Sequence, residues 1–442
     1  MKLSKSALFV LALFATSPAL ATDLLDAYRS AQSQDAAFAS ARALRQAGQE
    51  KQAQGRSLLL PNVNLTANTT YNDISAKYAG VAAPDKQYNS SGVGVSLVQP
   101  LFRQQNWLAY TQSEMQVAIS EAQYKLAEHD LILRVAQGYF DVLIAQDSVQ
   151  LTEAQKRAIS EQLEQAKRNF EVGTSTITDT YEAQARYDLT SAQEISALSN
   201  LEVKKRALQQ ITNAAPSELR QLGQEFKLEA PQPADVEKWV ADAQQHNVQI
   251  IIAESAAQLA EKEVSRNFGG HLPTLDLVAS YSKSASSATY FGSTNLGTSD
   301  TTSKSVGIQL NMPLFQGGAT QSKYREAEAN LDRARQDLEN ARRTVAVQAR
   351  QAYLGVVSGI AQVKALQQAL KSSESLLQAS KLGQGVGVRT NLDVLNAQQQ
   401  LFSTRRDLYQ AEYNYLISRL RLKAAVGTLA EEDVGAVNQA LR

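Results

Sequence analysis

The 442-residue chain contains no cysteine, which removes disulfides, thiol nucleophiles and thiolate metal sites together. The same absence excludes a lipid-modified N-terminal cysteine. Its three histidines, His129, His246 and His271, lie far apart, and none sits in an H-E-x-x-H arrangement. Gly269-Gly-His and Gly317-Gly-Ala lack the lysine and spacing of a phosphate loop. No catalytic constellation is legible, and neither a metal nor any other cofactor is expected. Charge of one sign is missing too: 44 Lys+Arg balance 44 Asp+Glu, so no basic field draws nucleic acid. After the N-terminal segment no apolar run reaches the ~18 residues of a membrane-spanning helix. Entry into a bilayer would have to be as β-strands.

What is present begins with an export signal. Lys2 and Lys5, the apolar stretch Ala7 to Ala15 and Ala19-Leu-Ala21 read as a signal peptide over 1–21, too short in its apolar part to span a membrane. The mature chain then says nearly the same thing twice, about 213 residues apart. Pro61-Asn-Val-Asn-Leu65 is answered by Pro273-Thr-Leu-Asp-Leu277, and Gly94 to Phe102 by Gly307 to Phe315. Val172-Gly-Thr-Ser-Thr-Ile-Thr-Asp179 is answered by Val386-Gly-Val-Arg-Thr-Asn-Leu-Asp393. A repeat of this length is a duplicated half-protein rather than a short solenoid unit.

Each half holds one alternating strand pair among long helices. Val63, Leu65, Ala67, Thr69 and Tyr71 alternate with Asn64, Thr66, Asn68, Thr70 and Asn72, and Val93, Val95 and Leu97 with Gly92, Gly94 and Ser96. The second half repeats this with Leu275, Leu277, Ala279 and Tyr281, then Val306, Ile308, Leu310 and Met312. Period-two patterning of this kind predicts strands with one apolar and one polar face. Between these strands a low-complexity loop rich in Ser, Thr and Gly is expected from Ser282 to Ser305, suited to a solvated tip.

Asp23 to about Leu59 reads as helix, with Gly48 and Gly55 as soft spots. Arg103–Glu171 and Ala319–Leu382 contain no proline, and at 1.5 Å per residue each would extend about 100 Å. Thr176–Asn213 and Val388–Val426 contain neither glycine nor proline. In the last of these, Val394, Leu401, Leu408, Tyr415 and Leu422 recur every seven residues. Leu395, Phe402, Tyr409 and Leu416 run beside them, and Ala397, Thr404, Ala411, Ser418 and Ala425 form a small-residue stripe. A sustained heptad predicts coiled-coil packing, and small residues permit close helix approach.

The resulting segmentation is a signal at 1–21, a helix at 22–60, a hairpin at 61–100, and long helices at 101–213 with a turn at 172–179. A Pro-bearing connector at 214–234, which also reads as a domain boundary, leads to a helix at 235–272 and a hairpin at 273–313. Long helices at 314–427 with a turn at 385–393, and a terminal segment at 428–442, complete it. Four amphipathic strands cannot stay open in lipid, because unpaired edge N–H and C=O groups cost several kcal/mol each. Single-chain bacterial barrels use at least eight strands. Four per chain therefore demand association, two chains giving eight and three giving twelve. The polar face, with Asn64, Thr66, Asn68, Thr274, Asp276, Gln309 and Asn311, would line a water-filled lumen. The competing arrangement is a soluble sandwich or strands packed on helices.

These residues carry a family resemblance over essentially the whole mature chain. Asn169-Phe-Glu-Val-Gly173 with Thr176-Ile-Thr-Asp179, Val386-Gly387 with Arg389-Thr390 and Asp393-Val-Leu395, and Tyr413-Asn-Tyr-Leu416 through Gly427-Thr-Leu429 resemble a TolC-type outer-membrane export channel. The resemblance implies an α+β membrane protein: a homotrimer whose four strands per chain build a twelve-stranded outer-membrane barrel in outer-membrane lipid. That barrel would be continuous with a periplasmic α-helical coiled-coil barrel carrying a mixed equatorial belt. The implied partners are a periplasmic adaptor (membrane fusion) protein and an inner-membrane ABC or RND-type pump. Drugs, other small toxic molecules or type I secreted proteins would pass without chemistry. The alternative function is a periplasmic coiled-coil adaptor, which would explain the long helices and the signal but not the two hairpins.

The resemblance also implies a gate at the two turns. Val172, Gly173, Thr174, Val386, Gly387 and Val388 fall at the adaptor-contact tips. Arg389 would bond Asp179 and Thr178, and an arginine–carboxylate pair can be bidentate. A second family link joins a tyrosine to a glutamine and to the same aspartate. Here the glutamine is Gln162, but Gln384 stands at the tyrosine position. The entrance ring keeps Asp393 at its first position and has Asn396 at the second, so a trimer would present three carboxylates instead of six and trap cations weakly. On this basis Asn396→Asp is expected to strengthen block by multivalent cations. Thr176-x-x-Asp179 and Thr390-x-x-Asp393 also read as capping boxes, and one residue can serve both roles.

Overall fold

The computed structural model describes residues 23–82, 84–215, 218–223, 227–291 and 294–441; the expected signal at 1–21 and Pro216 of the connector lie outside them. The chain divides into two compact units. One comprises Met1–Ala39, Glu128–Val240 and Gln348–Arg442, and the other Ser40–Ala127 and Ala241–Val347. The first half begins with α1 (Leu24–Gln34), α2 (Ala36–Ser57) and β1 (Asn62–Ile74). The two-residue strands β2 (Lys77–Tyr78) and β3 (Val81–Ala82) follow, then β4 (Lys86–Phe102), α3 (Gln104–Glu171) and α4 (Ile177–Thr212). The second half holds α5 (Val236–His246), α6 (Val248–Phe268), β5 (Thr274–Ser286), β6 (Tyr290–Phe291), β7 (Thr294–Asn295) and β8 (Ser299–Asn311). It ends with α7 (Ala319–Gly385), α8 (Asn391–Val426) and the short α9 (Glu431–Asn438).

The long helices and the hairpins are present as the patterns predict. The helix expected over 235–272, however, breaks at Asn247, an extended residue whose Oδ1 accepts from Gln249 N at 2.8 Å. The loop expected from Ser282 to Ser305 is largely taken up by the ends of β5 and β8, and two further segments differ. The single N-terminal helix is split at Asp35, whose backbone is extended and whose Oδ2 accepts from Phe38 N at 2.9 Å. An aspartate able to cap a new helix start wins over continuity here, and Arg134 donates to the same oxygen at 2.9 Å. The connector does not separate units: 214–234 belongs to the first one, where Gly223 N donates to Ala440 O at 2.9 Å and Glu229 N to the Tyr415 hydroxyl at 2.8 Å.

In the second unit β1, β4, β5 and β8 form one antiparallel sheet in that order. The join between the two hairpins is β4 against β5, two strands from different repeats. Register sorts the faces. Val63, Leu97, Ala279 and Val306 lie in one row, Leu65, Val95, Tyr281 and Lys304 in the next. On the other face Asn64, Ser96, Ser280 and Ser305 share a row, as do Thr66, Gly94, Ser282 and Ser303. All seven residues assigned to a polar face lie on it, because they are cross-strand partners or stand two residues apart. Asp276 is not free there: Arg103 forks onto it, Nε to Oδ1 at 2.7 Å and Nη2 to Oδ2 at 2.6 Å. Strands β1 and β8, 13 residues each, are the edges of this four-stranded sheet.

Gly48 and Gly55 are contact points rather than soft spots. A Cβ at Gly48 would stand 2.3 Å from Ser120 Oγ, and one at Gly55 2.3 Å from Ser113 Oγ. The seven-residue spacing on both helices lets α2 lie against α3. In the first unit the α8 heptad is buried as its period requires: Val394, Leu401, Leu408, Tyr415 and Leu422 all face inward, with Leu395 and Leu416 beside them.

Candidate functional site

The candidate site is the pair of helix–turn–helix tips, α3 to α4 and α7 to α8, both in the first unit. The two turns have the same construction. Gly173 and Gly387 adopt φ of +75° and +78°, a conformation that glycine alone reaches without strain. Thr174 N donates back to Asn169 O at 2.8 Å, and Val388 N to Gly383 O at 2.9 Å, closing the ends of α3 and α7. Helices α4 and α8 then start with capping boxes. Thr176 accepts from Asp179 N while Asp179 accepts from Thr176 N, and Thr390 and Asp393 do the same. Beside these glycines the turns push Val172, Val386 and Val388 into solvent, each more than two-thirds exposed.

These caps decide what the acidic residues touch within one chain. Asp179 Oδ2 accepts from Ser175 Oγ at 2.6 Å, Thr176 Oγ1 at 3.0 Å and Thr176 N at 3.1 Å. The Ser175 hydrogen bond, with help from the Thr176 backbone, holds its carboxyl below the ordinary range. Thr178 Oγ1 lies 2.5 Å from Thr176 Oγ1. Asp393 Oδ2 accepts from Thr390 N and Oγ1, both at 2.9 Å, and the backbone bond first lowers its pKa. Arg389 Nη1 reaches Asp393 Oδ1 at 3.7 Å. Within a single chain Arg389 therefore pairs along its own helix start and does not meet Asp179 or Thr178. Gln384 donates to Asn391 Oδ1 at 3.3 Å, while Gln162 is buried with its Oε1 unpartnered. The chain does not bring those two glutamines together.

The contact that joins α4 to α8 was not visible in the sequence. Arg186 donates Nη2 to Asn396 Oδ1 at 3.0 Å and Nη1 to Gln399 Oε1. Beneath it Ile159, Leu163 and Ala166 of α3, Ala183 of α4 and Leu395 of α8 form a small core, with Tyr187 packed on it. An arginine at 186 carries no local signal; only the spacing of Asn396 and Gln399, one turn apart on α8, marks a face that could receive it.

Among the described residues no group of three or more His, Asp or Glu is placed to hold a metal, and no helix is long and apolar enough to cross a membrane. A chain with a two-faced sheet of two open edges in one unit and paired long helices ending in capped turns in the other is a subunit of an oligomeric β-barrel channel with a helical portion. The outer membrane efflux protein model matches residues 27–214 and 239–428, once in each repeat, and the chain belongs to that family. The Escherichia coli outer membrane protein TolC is 35% identical over 429 residues, 95% of this chain and 85% of that protein. Vibrio cholerae TolC is 34% identical over 98% of both. The Pseudomonas aeruginosa alkaline protease secretion protein AprF is 34% identical, over 94% of this chain and 86% of its own length. Among solved structures, the Vibrio cholerae outer membrane protein VceC superposes with a TM-score of 0.75 at 20% identity, covering 91% of this chain and 96% of that one. The Campylobacter jejuni CmeC channel gives 0.79 at 17%, covering 95% and 90%. The protein is an outer-membrane channel, not an enzyme.

Proposed function

We propose that the protein is the outer-membrane exit duct of a tripartite export system, gated at its paired helical tips. The observation that carries this is the four-stranded sheet, with β1 and β8 as edges of equal length and one face apolar from Val63 to Tyr281 but for Lys304 against the Tyr281 ring. Backbone groups on such edges cannot remain unpaired in lipid. β8 of one chain would run antiparallel to β1 of the next, so a ring of chains closes without any edge. Three chains make the twelve-stranded barrel of a homotrimer. The efflux family model and the relative named for alkaline protease secretion support passage of small toxic molecules, type I secreted proteins or both. The periplasmic adaptor reading is not favoured, because it leaves the sheet without a purpose.

At the tips, exposed Val172, Val386 and Val388 with Gly173, Thr174 and Gly387 supply an apolar docking rim for a periplasmic adaptor, itself coupled to an inner-membrane ABC or RND-type pump. Arg389 would meet Asp179 and Thr178 of a neighbouring chain, since each is taken up locally within its own. Gln162 would find its partner in the same way, from Gln384. Asp393 would form a ring of three carboxylates, with Asn396 a turn above it. The decisive experiment combines three readings: heat-sensitive trimer bands on a gel, conductance in planar bilayers, and a deletion strain assayed for both drug susceptibility and secreted proteins. A monomer that forms no channel, or a deletion strain unchanged in both assays, refutes the duct.

A further inference from the structure

We propose that Arg186 is an intrachain clip that ties α4 to α8 and keeps the entrance tier at Asn396 from acting as a cation site. One guanidinium donates to Asn396 Oδ1 at 3.0 Å and to Gln399 Oε1, spanning a full turn of α8. Both partners are neutral amides. The adjoining cleft between α3, α4 and α8, about 540 Å³, is lined by residues such as Ser148, Thr152, Gln155, Gln193 and Arg406, and by no carboxylate. Arg186 and Arg406 are therefore the charged residues of that cleft, and neither meets a carboxylate within its lining. Asp393 stands three residues before Asn396, so one turn of α8 carries an acid and the next a clamped amide beside a cation.

Two consequences follow from this geometry. First, the α3–α4 pair is joined to the α7–α8 pair inside each chain, without help from a neighbour. Second, the expectation for Asn396→Asp reverses. A carboxylate placed there would lie at salt-bridge distance from Arg186 and turn the Nη2 hydrogen bond into a charge-assisted ion pair, while Nη1 stays on Gln399. It would tighten the clip instead of trapping cations, because an adjacent guanidinium neutralises the new charge. A cation site requires both changes, Asn396→Asp with Arg186 removed.

The inference rests on the reading of the tips as the channel entrance. The test compares full-length trimers of wild type, R186Q, N396D and R186Q/N396D in planar bilayers, with La³⁺ added on the tip side. R186Q is expected to raise the open population about fivefold, the factor carried by one partly exposed charge-assisted link. N396D should conduct no more than wild type and show no stronger La³⁺ block. R186Q/N396D should be blocked at about tenfold lower La³⁺ than either single variant, three uncompensated carboxylates having been added to the ring of Asp393. Should R186Q not yield heat-stable trimers, R186K serves, keeping the charge but losing the fork, with conductance above wild type expected. Unchanged conductance in R186Q or R186K, or La³⁺ block by N396D alone equal to the double variant, overturns the clip. A wild type that forms no channel would instead refute the duct itself.

Discussion

Replacing Gly48 by alanine sets two effects of opposite sign against each other. In an exposed helix the change stabilises by about 1 kcal/mol, since glycine loses more backbone freedom on folding. Here a Cβ at position 48 would stand 2.3 Å from Ser120 Oγ and 2.4 Å from Ser120 Cβ. Rotation of Ser120 moves the hydroxyl but not its Cβ. Carbon contacts settle near 3.5–4.0 Å, so α2 and α3 must part by about 1 Å. Overpacking of that kind costs roughly 1–3 kcal/mol, and a carbon–carbon clash this short belongs at the upper end. The net expectation for Gly48→Ala is a loss of about 2 kcal/mol. The three nearest atoms to the built Cβ all belong to Ser120, and the two that clash are its side chain, so Ser120→Gly removes the clash. The double variant G48A/S120G exchanges the glycine between helices and should return to within about 0.5 kcal/mol of wild type. Trimer dissociation temperature on heating, with a urea titration in detergent, gives the ranking. A single variant as stable as wild type, or a double variant no better than the single, refutes the packing argument.

Arg389→Ser should make the entrance leakier, read as higher single-channel conductance; identical conductance removes Arg389 from the gate. Neighbouring strand residues test the sheet's faces. Val306→Asp places a charge on the apolar face and should cost ~2–4 kcal/mol near mid-bilayer, lowering the yield of assembled trimer, whereas Ser305→Asp on the polar face should assemble normally. Away from the sheet, burial pushes the Asp147 carboxyl up to about 6, although the Tyr413 hydroxyl donates to it at 2.9 Å. Burial likewise pushes Glu412 up to about 7, with the charge of Asp147 adding to it. Raised carboxylates bind more protons folded than unfolded, so their contribution is most favourable at low pH and is lost as pH rises from about 4 to about 7. D147N and E412Q should therefore stabilise the trimer at pH 8 and change little at pH 4. Equal stabilisation at both values would show that burial does not set these carboxyls.

Much of the architecture was legible along the chain because it is periodic. Alternation marked β1, β4, β5 and β8, and register later placed Asn64, Thr66 and Ser280 on one face as the alternation required. A sustained heptad marked α8, and its stripe is buried from Val394 to Leu422. Glycine followed within a few residues by Thr-x-x-Asp marked both tips, because left-handed turns and capping boxes are made by neighbours in sequence. Family membership came from the order and doubled spacing of these same pieces. Even Asp35 was in principle readable as a helix start, though the helical pattern on both sides of it hid the break.

What only the tertiary structure decided is the set of contacts between single residues far apart in the chain. The pairing of β4 with β5, the fork of Arg103 on Asp276 and the clamp of Arg186 on Asn396 and Gln399 each join positions more than 150 residues apart. Gly48 looked like a weakness until the fold set Ser120 against it, and the raised carboxyls of Asp147 and Glu412 exist only because the fold buries them. Periodicity is written redundantly, over dozens of residues, and survives as pattern. A side-chain pair is written once at each end, and its energy exists only when the fold has closed the distance.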